Sequence, residues 1–211
     1  MQKLDLKKQY KEFYNPSAKK VSVVEVPKIN FAMLDGTVYQ GEKPGESPEY
    51  QQALQALYGI SYTLKFASKK RPHNPIDYTV MPLEGLWWFE GKEFDFDWDR
   101  DLHFTSMIMQ PDHITAEMFE AALSELRRKK PKLELDKLRF DSYDEGLCAQ
   151  IMHIGPYSEE PATIDRIKTF AKENGYQFSG KHHEIYLGDP RRTAPEKLKT
   201  VLRYPVQKTA Y

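Results

Sequence analysis

The segment His182-His183-Glu184-Ile185-Tyr186-Leu187 brings together residue types suited to acid–base chemistry or to holding a cation. Side chains alternate along a strand, so His183, Ile185 and Leu187 share one face and His182, Glu184 and Tyr186 the other. If Ile185 and Leu187 lie against helices, Glu184 and Tyr186 turn toward a cleft, where a carboxylate serves as a general base or as a counter-charge. Spacing alone supports equally a strand carboxylate that faces water. His182 and Glu184 share a face two residues apart, as metal ligands do. No third ligand follows in an HxxxH or CxxC spacing, so no metal is expected.

Aromatic residues are numerous, with 13 Tyr, 11 Phe and 3 Trp. Trp87 and Trp88, both ligand-contact candidates, are adjacent in a strand-like run, so one packs under helices and the other faces the cleft; if Trp88 pairs with Tyr186 under the repeated order of elements, Trp88 is the cleft residue, and the choice between the two stays open. Burial of both in a core is the alternative. In His153-Ile154-Gly155-Pro156-Tyr157 a strand ends in a turn that projects Tyr157, which either donates a hydrogen bond to a ligand carbonyl or anchors the turn. Tyr58, Tyr62 and Phe66 recur at four-residue spacing on one helix stripe, a pattern commoner in cores than in sites; Tyr62 is kept as a ligand-contact candidate. A GxSxG elbow, a P-loop, a GxGxxG turn and a Cys-His pair are all missing, so nucleophilic, phosphoryl and hydride chemistry have no local signature and no cofactor is expected.

The elements that would position these residues read as follows. A polar, lysine-rich arm or short capping helix occupies residues 1–20. A strand over Lys28 to Asp35 is closed by an Asp35-Gly36 turn. A long helix begins at Ser47 and Pro48 and runs to about Lys69. Strand-like segments cover Asp77 to Glu90 and Phe104 to Gln110, and a helix capped by Thr115 ends before Pro131. A second series follows: a strand over Leu147 to Ile154, a helix from Glu159 to Asn174, and strands near Phe178 to Leu187 and Thr200 to Pro205. The repeated order predicts an α+β fold of two pseudo-symmetric β-α-β-β modules forming an antiparallel sheet, with helices on one face and a ligand cleft near the pseudo-twofold axis. Residues 21–211 form one domain, its halves at about 21–112 and 140–211, joined by a connecting helix at 115–130.

Composition narrows the function. Acidic and basic residues balance at 31 each, so no global field attracts nucleic acid or an anionic membrane surface. The single Cys148 lies in an apolar run, as a buried inert thiol does in a reducing compartment. The charged N-terminus lacks the apolar core of a signal peptide and no apolar stretch reaches membrane-span length. A cytoplasmic protein without nucleic-acid or membrane partners is the expectation.

Five motifs in order carry a resemblance: Ala56 to Phe66 (ALYGISYTLKF), Asp77 to Phe89 (DYTVMPLEGLWWF), Met107 to Thr115 (MIMQPDHIT), His153 to Glu159 (HIGPYSE) and Glu184 to Val206 (EIYLGDPRRTAPEKLKTVLRYPV). From about Lys28 onward the chain resembles the stand-alone GyrI-like small-molecule-binding proteins. The resemblance implies two pseudo-symmetric modules around a ligand cleft, as in the effector domains of multidrug-responsive activators. There a buried glutamate among aromatic rings receives cationic drugs, and Glu184 matches its position. Some stand-alone members hydrolyse cyclopropane-containing DNA-alkylating natural products. Three readings stay open at this point: a protein that binds or sequesters an aromatic or cationic molecule, a hydrolase with Glu184 as base, and a gyrase-interacting module. Whether the chain is a monomer or a dimer is equally open.

Overall fold

The computed structural model describes residues 2–91 and 93–209. In chain order the elements are β1 (Gln2–Leu4), α1 (Leu6–Gln9), α2 (Lys11–Tyr14), β2 (Ser22–Val26), β3 (Ile29–Val38), α3 (Pro48–Lys69), β4 (Ile76–Tyr78), β5 (Leu83–Trp88), β6 (Leu102–Met109), α4 (Ala116–Lys129), β7 (Arg139–Tyr143), β8 (Gly146–Ile154), α5 (Glu160–Glu173), β9 (Tyr176–Phe178), β10 (His182–Tyr186) and β11 (Lys199–Lys208). The order strand, helix, short strand, strand, strand occurs twice, as β3-α3-β4-β5-β6 and β8-α5-β9-β10-β11. Helix α4 lies in sequence between the two series. The fold is α+β, and apart from the short parallel pair β1-β4 the strands within each unit pair antiparallel. No described helix is long and apolar enough to cross a membrane.

Contacts divide the chain into two compact units that interleave along the sequence. The first holds the segments up to Gln9, Ile29–Pro82 and Asp97–Tyr143; the second holds Tyr10–Lys28, Leu83–Phe96 and the chain from Asp144. Strand β5 therefore groups with the second series of elements, although its place in sequence lies in the first.

In the first unit, β3 pairs with both β6 and β7. Helix α3 packs on β3 and β6, and α4 packs on α3. Thr115 caps α4 as its sequence position predicts, its hydroxyl accepting from the Met118 N–H at 3.3 Å. Ser47 stands at the N-cap of α3 in extended conformation, but its hydroxyl makes no capping bond. The expected Asp35-Gly36 turn is instead mid-strand. Gly36 pairs with Phe104, and a Cβ at Gly36 would meet Phe104 Cζ at 2.4 Å, so the glycine makes room for a ring rather than for a bend. Asp35 accepts from Arg139 at 2.7 and 3.1 Å and from Thr105 at 2.7 Å, tying β7 and β6 to β3.

The second unit is a sheet in the order β2-β8-β11-β10-β5, with β9 alongside the far end of β11. Residues read above as a solvated arm contribute to it. Phe13 and Tyr14 are buried, because short as α2 is, it presents two aromatic rings and they dock on the sheet. They dock on a network of charge. His183 donates from Nδ1 to Glu145 at 2.8 Å and from Nε2 to Glu84 at 3.0 Å, so both ring nitrogens carry protons. Arg203 donates to Glu145 at 3.0 Å, to Gln150 at 3.0 Å and to the Phe13 carbonyl at 2.7 Å. Tyr14 donates to Glu84 at 2.5 Å, and Gln150 to the Glu12 carbonyl at 2.8 Å.

Two carboxylates, an imidazolium and a guanidinium thus cancel in charge while buried, the only condition under which such groups leave water at tolerable cost. Burial alone would lower the His183 pKa, but Glu145 overcomes it and holds the ring up at about 9. Burial alone would raise Glu145, but His183 and Arg203 bring it down to about 2. Burial and then Glu84 push the Tyr14 phenol well above its ordinary range.

These shifts define a pH window. A histidine raised from 6.5 to about 9 contributes stability that is complete below 6.5 and lost as pH climbs through 9. A glutamate lowered from 4.5 to about 2 contributes stability that is complete above 4.5 and lost on acidification toward 2. Urea unfolding should accordingly show wild-type stability declining between pH 6.5 and 9. A His183→Gln variant should be less stable throughout and lack that decline; an equal slope in both would exclude His183 as its source.

Candidate functional site

Strand β10 has two unlike sides, and the candidate site is on the one opposite His183. Paired residues on neighbouring strands share a face. Glu184 pairs with Gly85 on β5 and with Leu202 on β11, while Tyr186 pairs with Leu83 and with Thr200, which in turn pairs with His153 on β8. The alternation read from sequence holds, since His182, Glu184 and Tyr186 share this side. The expectation of open space before Glu184 does not. Helix α5 covers the Glu184 side, Thr163 donating to His153 Nδ1 at 2.9 Å, while α2 covers the His183 side. Each side holds both polar and apolar residues, so the pattern of Ile185 and Leu187 alone could not tell which carried a helix.

Glu184 is 7% exposed, and both of its oxygens have donors. His182 Nε2 lies 2.8 Å from Oε1, and Tyr186 OH donates to Oε2 at 2.6 Å. Trp87 Nε1 donates in turn to Tyr186 OH at 3.0 Å, so a chain of donors runs from indole to phenol to carboxylate. The indole can cross β5 because residue 85 is glycine: a Cβ there would meet Trp87 Nε1 at 2.7 Å. Of the two tryptophans it is therefore Trp87, paired with His182, that joins this side. Trp88 points to the other face, with Lys181 Nζ 3.1 Å from its ring centroid, so the choice that adjacency left open falls to Trp87.

Tyr157 meets Tyr186 edge to face, ring centroids 5.9 Å apart. Its position depends on Gly155, whose φ of 143° suits glycine, and on His153 Nε2, which donates to the Pro156 carbonyl at 3.2 Å. At 36% exposure Tyr157 forms the solvent side of the cluster. Phe94 stacks on His182 at 4.3 Å and closes the opposite end. Tyr62 belongs to the first unit, where it lies with Tyr58 and Phe66 on the exposed side of α3; Leu57, Ile60 and Leu64 take the buried side instead. A cleft of about 620 Å³ opens between the end of β8 and the start of α5, lined by Met152, His153, Glu159, Thr163 and Arg166 among others, and does not include Glu184.

Sequence reasoning passed over three residues on this side. Glu160 begins α5 and is 1% exposed; Thr200 and Tyr204 on β11 are equally enclosed. Tyr204 lies between Phe178, stacked at 4.2 Å, and His182, at 4.8 Å. An acid before a proline reads as an ordinary first-turn residue facing water, and only the packing of α5 on β11 reveals otherwise. Cys148 is buried on the other face, as expected, and burial pushes its thiol far above the reactive range.

The sequence matches the family model of the GyrI-like small-molecule-binding domain over residues 19–207. A crystal structure of an uncharacterized conserved protein from Listeria innocua is 42% identical, with a TM-score of 0.87, covering 97% of this chain and all of that one. A hydrolase from the same organism is 41% identical, with a TM-score of 0.86, covering 98% of this chain and all of that one. The C-terminal domain of EcmrR shares the fold alone: 12% identity and a TM-score of 0.53, covering 90% of this chain and 98% of that one. No curated protein matches the sequence.

Gly85→Ala tests the arrangement around the indole. The added methyl should push Trp87 away from Tyr186, cost about 1–3 kcal/mol in urea unfolding and alter the tryptophan emission of the folded protein. Unchanged emission together with unchanged stability would show that the indole does not lie over Gly85.

Proposed function

The chain belongs to the GyrI-like small-molecule-binding family, and on that premise we propose that its second unit receives an aromatic or cationic small molecule beside Glu184 and hydrolyses cyclopropane-containing alkylating compounds, with Glu184 as general base. The observation that carries this reading is a nearly buried carboxylate held by two donors, His182 and Tyr186, and surrounded by aromatic rings. Each carboxylate oxygen keeps a further lone pair after accepting one bond, so Glu184 retains the capacity to take a proton from water. Support also comes from the hydrolase of Listeria innocua at 41% identity.

In the proposed reaction a water molecule lies between Glu184 and the strained ring. As Glu184 takes its proton, the water oxygen bonds to a ring carbon and the ring C–C bond breaks. The electron pair of that bond passes into the conjugated acceptor of the substrate, which then takes up a proton, so one water is added overall. Tyr157 and Tyr186 orient the substrate from the solvent side, and Trp87 fixes the Tyr186 hydroxyl; relief of ring strain supplies much of the driving force. A cation would be held at the same place by the Glu184 charge and by ring faces, each worth about 0.5–2 kcal/mol.

Incubation with a cyclopropane-bearing alkylator, followed by mass spectrometry, separates the readings. Wild type should convert it to the water adduct, and Glu184→Gln should lose about 100-fold or more of the rate while remaining folded. Wild-type rates in Glu184→Gln would remove Glu184 as the base. No turnover by wild type, with cation binding that Glu184→Gln abolishes, would make the protein a binder with Glu184 as counter-charge.

Fluorescence titration with an aromatic ligand distinguishes the tryptophans. Trp87→Phe should weaken binding and Trp88→Phe should not; the reverse result would move the ligand to the other face.

A further inference from the structure

Eight buried side-chain polar atoms among the described residues lack a hydrogen-bond partner, and four of them surround Glu184: Glu160 Oε1, His182 Nδ1, Thr200 Oγ1 and Tyr204 OH. Native interiors leave few such atoms, so a cluster on one side of one strand marks a place built for exchange rather than for packing. Thr200 is paired with Tyr186, the Tyr204 ring lies against His182, and Glu160 is the buried first residue of α5, the helix that covers this side. Two buried carboxyl groups thus lie on one side of the sheet, one with two donors and the other with an oxygen that has none.

We propose that Glu160 is the proton-holding partner of Glu184: the two groups carry a single proton, it resides on Glu160, and the hydroxyls of Thr200 and Tyr204 pass it to and from the reacting atoms. Two neighbouring carboxylates do not both ionise in a low-dielectric space, and the charge settles where donors stabilise it. Glu184 has the His182 N–H and the Tyr186 hydroxyl, whereas Glu160 is buried without an ionic partner. Burial first, and then the Glu184 charge, push Glu160 up to about 10; the Thr200 hydroxyl, close to Glu160 but outside hydrogen-bond geometry, pulls the other way. The other groups on this side are His182, Tyr204 and, on β8, His153 bonded to Thr163. Glu93 adds a negative charge near Tyr204, offset at the surface by Lys168 at 2.9 Å. The N-terminal field of α5 favours an anion at Glu160, but its field does not replace missing donors.

In the ring-opening step the balance closes within the pair. Glu184 gains the proton of water, Glu160 yields its own through the hydroxyls to the acceptor that took the electron pair, and the proton on Glu184 then returns to Glu160. Because Glu160 reaches the reacting atoms only through other groups, it is a positioning residue. This relay rests on the reading of Glu184 as a base, whereas the location of the proton does not.

Carboxyl carbon NMR of glutamate-labelled protein decides the location, with the Glu160 signal assigned by its loss in Glu160→Gln. A neutral Glu160 that titrates near 10, and whose titration moves down in Glu184→Gln, is the expected result. A Glu160 ionised at neutral pH, or one indifferent to Glu184→Gln, overturns the proposal. With the cyclopropane-bearing alkylator, Glu160→Gln should lower kcat by about tenfold or more, leave KM little changed and remove the alkaline limb of the rate profile, and Glu160→Asp should recover part of the rate. Wild-type kcat and an intact alkaline limb in Glu160→Gln overturn the relay. Absence of wild-type turnover instead refutes the hydrolytic reading, and the carboxyl titration then stands on its own.

Discussion

The buried exchange of charge among Glu84, Glu145, His183 and Arg203 is the constraint on which the second unit depends. Its members come from separate stretches of chain: Tyr14 and the Phe13 carbonyl from one, Glu84 from another, and Glu145, His183 and Arg203 from the last. Nonpolar contacts would hold these stretches together with little regard to register. Directional bonds between charges do not tolerate a slip, and loss of one partner from such a set typically costs about 3–5 kcal/mol because the others are left buried and unpaired. The network therefore sets the register of β5 against β10 and of β10 against β11.

Register is what the site needs. His183 and Glu184 are neighbours in sequence and point to opposite sides of the sheet, so the bonds that fix one also fix the other. Holding His183 between Glu84 and Glu145 brings Glu184 opposite Gly85, the one position where the indole of Trp87 can cross to Tyr186. The rigidity of the polar network on one side becomes precision in the donor chain on the other.

Much of this was legible in the sequence, for reasons that particular residues make clear. Alternation along residues 182–187 is a covalent fact of strands, so the grouping of His182, Glu184 and Tyr186 follows from their spacing alone. The Thr115 cap and the α+β class follow from equally local patterns. The five ordered motifs pointed to the family that the matched region, residues 19–207, bears out. What stayed hidden was non-local. Asp35-Gly36 has the composition of a turn, and only Phe104, far along the chain, shows why the glycine lies mid-strand. Glu160 and Glu184 are separated by a helix and a strand along the chain. The choice between Trp87 and Trp88 turned on pairing with β10, which adjacency in sequence does not encode. Tyr14 looked like part of a solvated arm, because nothing nearby announces the Glu84 that receives its hydroxyl.

Strand order in the second unit bears on synthesis. Its central strand, β11, lies between β8 and β10 and follows both along the chain. Arg203 on that strand reaches back 190 residues to the Phe13 carbonyl. During translation the first unit has all its strands once β7 has emerged, whereas β8, β10 and the N-terminal aromatic residues must wait beside a gap. Closing so long a loop is slow on entropic grounds, and until it closes the edges of β8 and β10 are open to pairing with other chains. Residues 199–208 thus decide whether the second unit closes or stays open to aggregation, and a chain cut shortly before residue 199 would have one finished unit and one that has no centre.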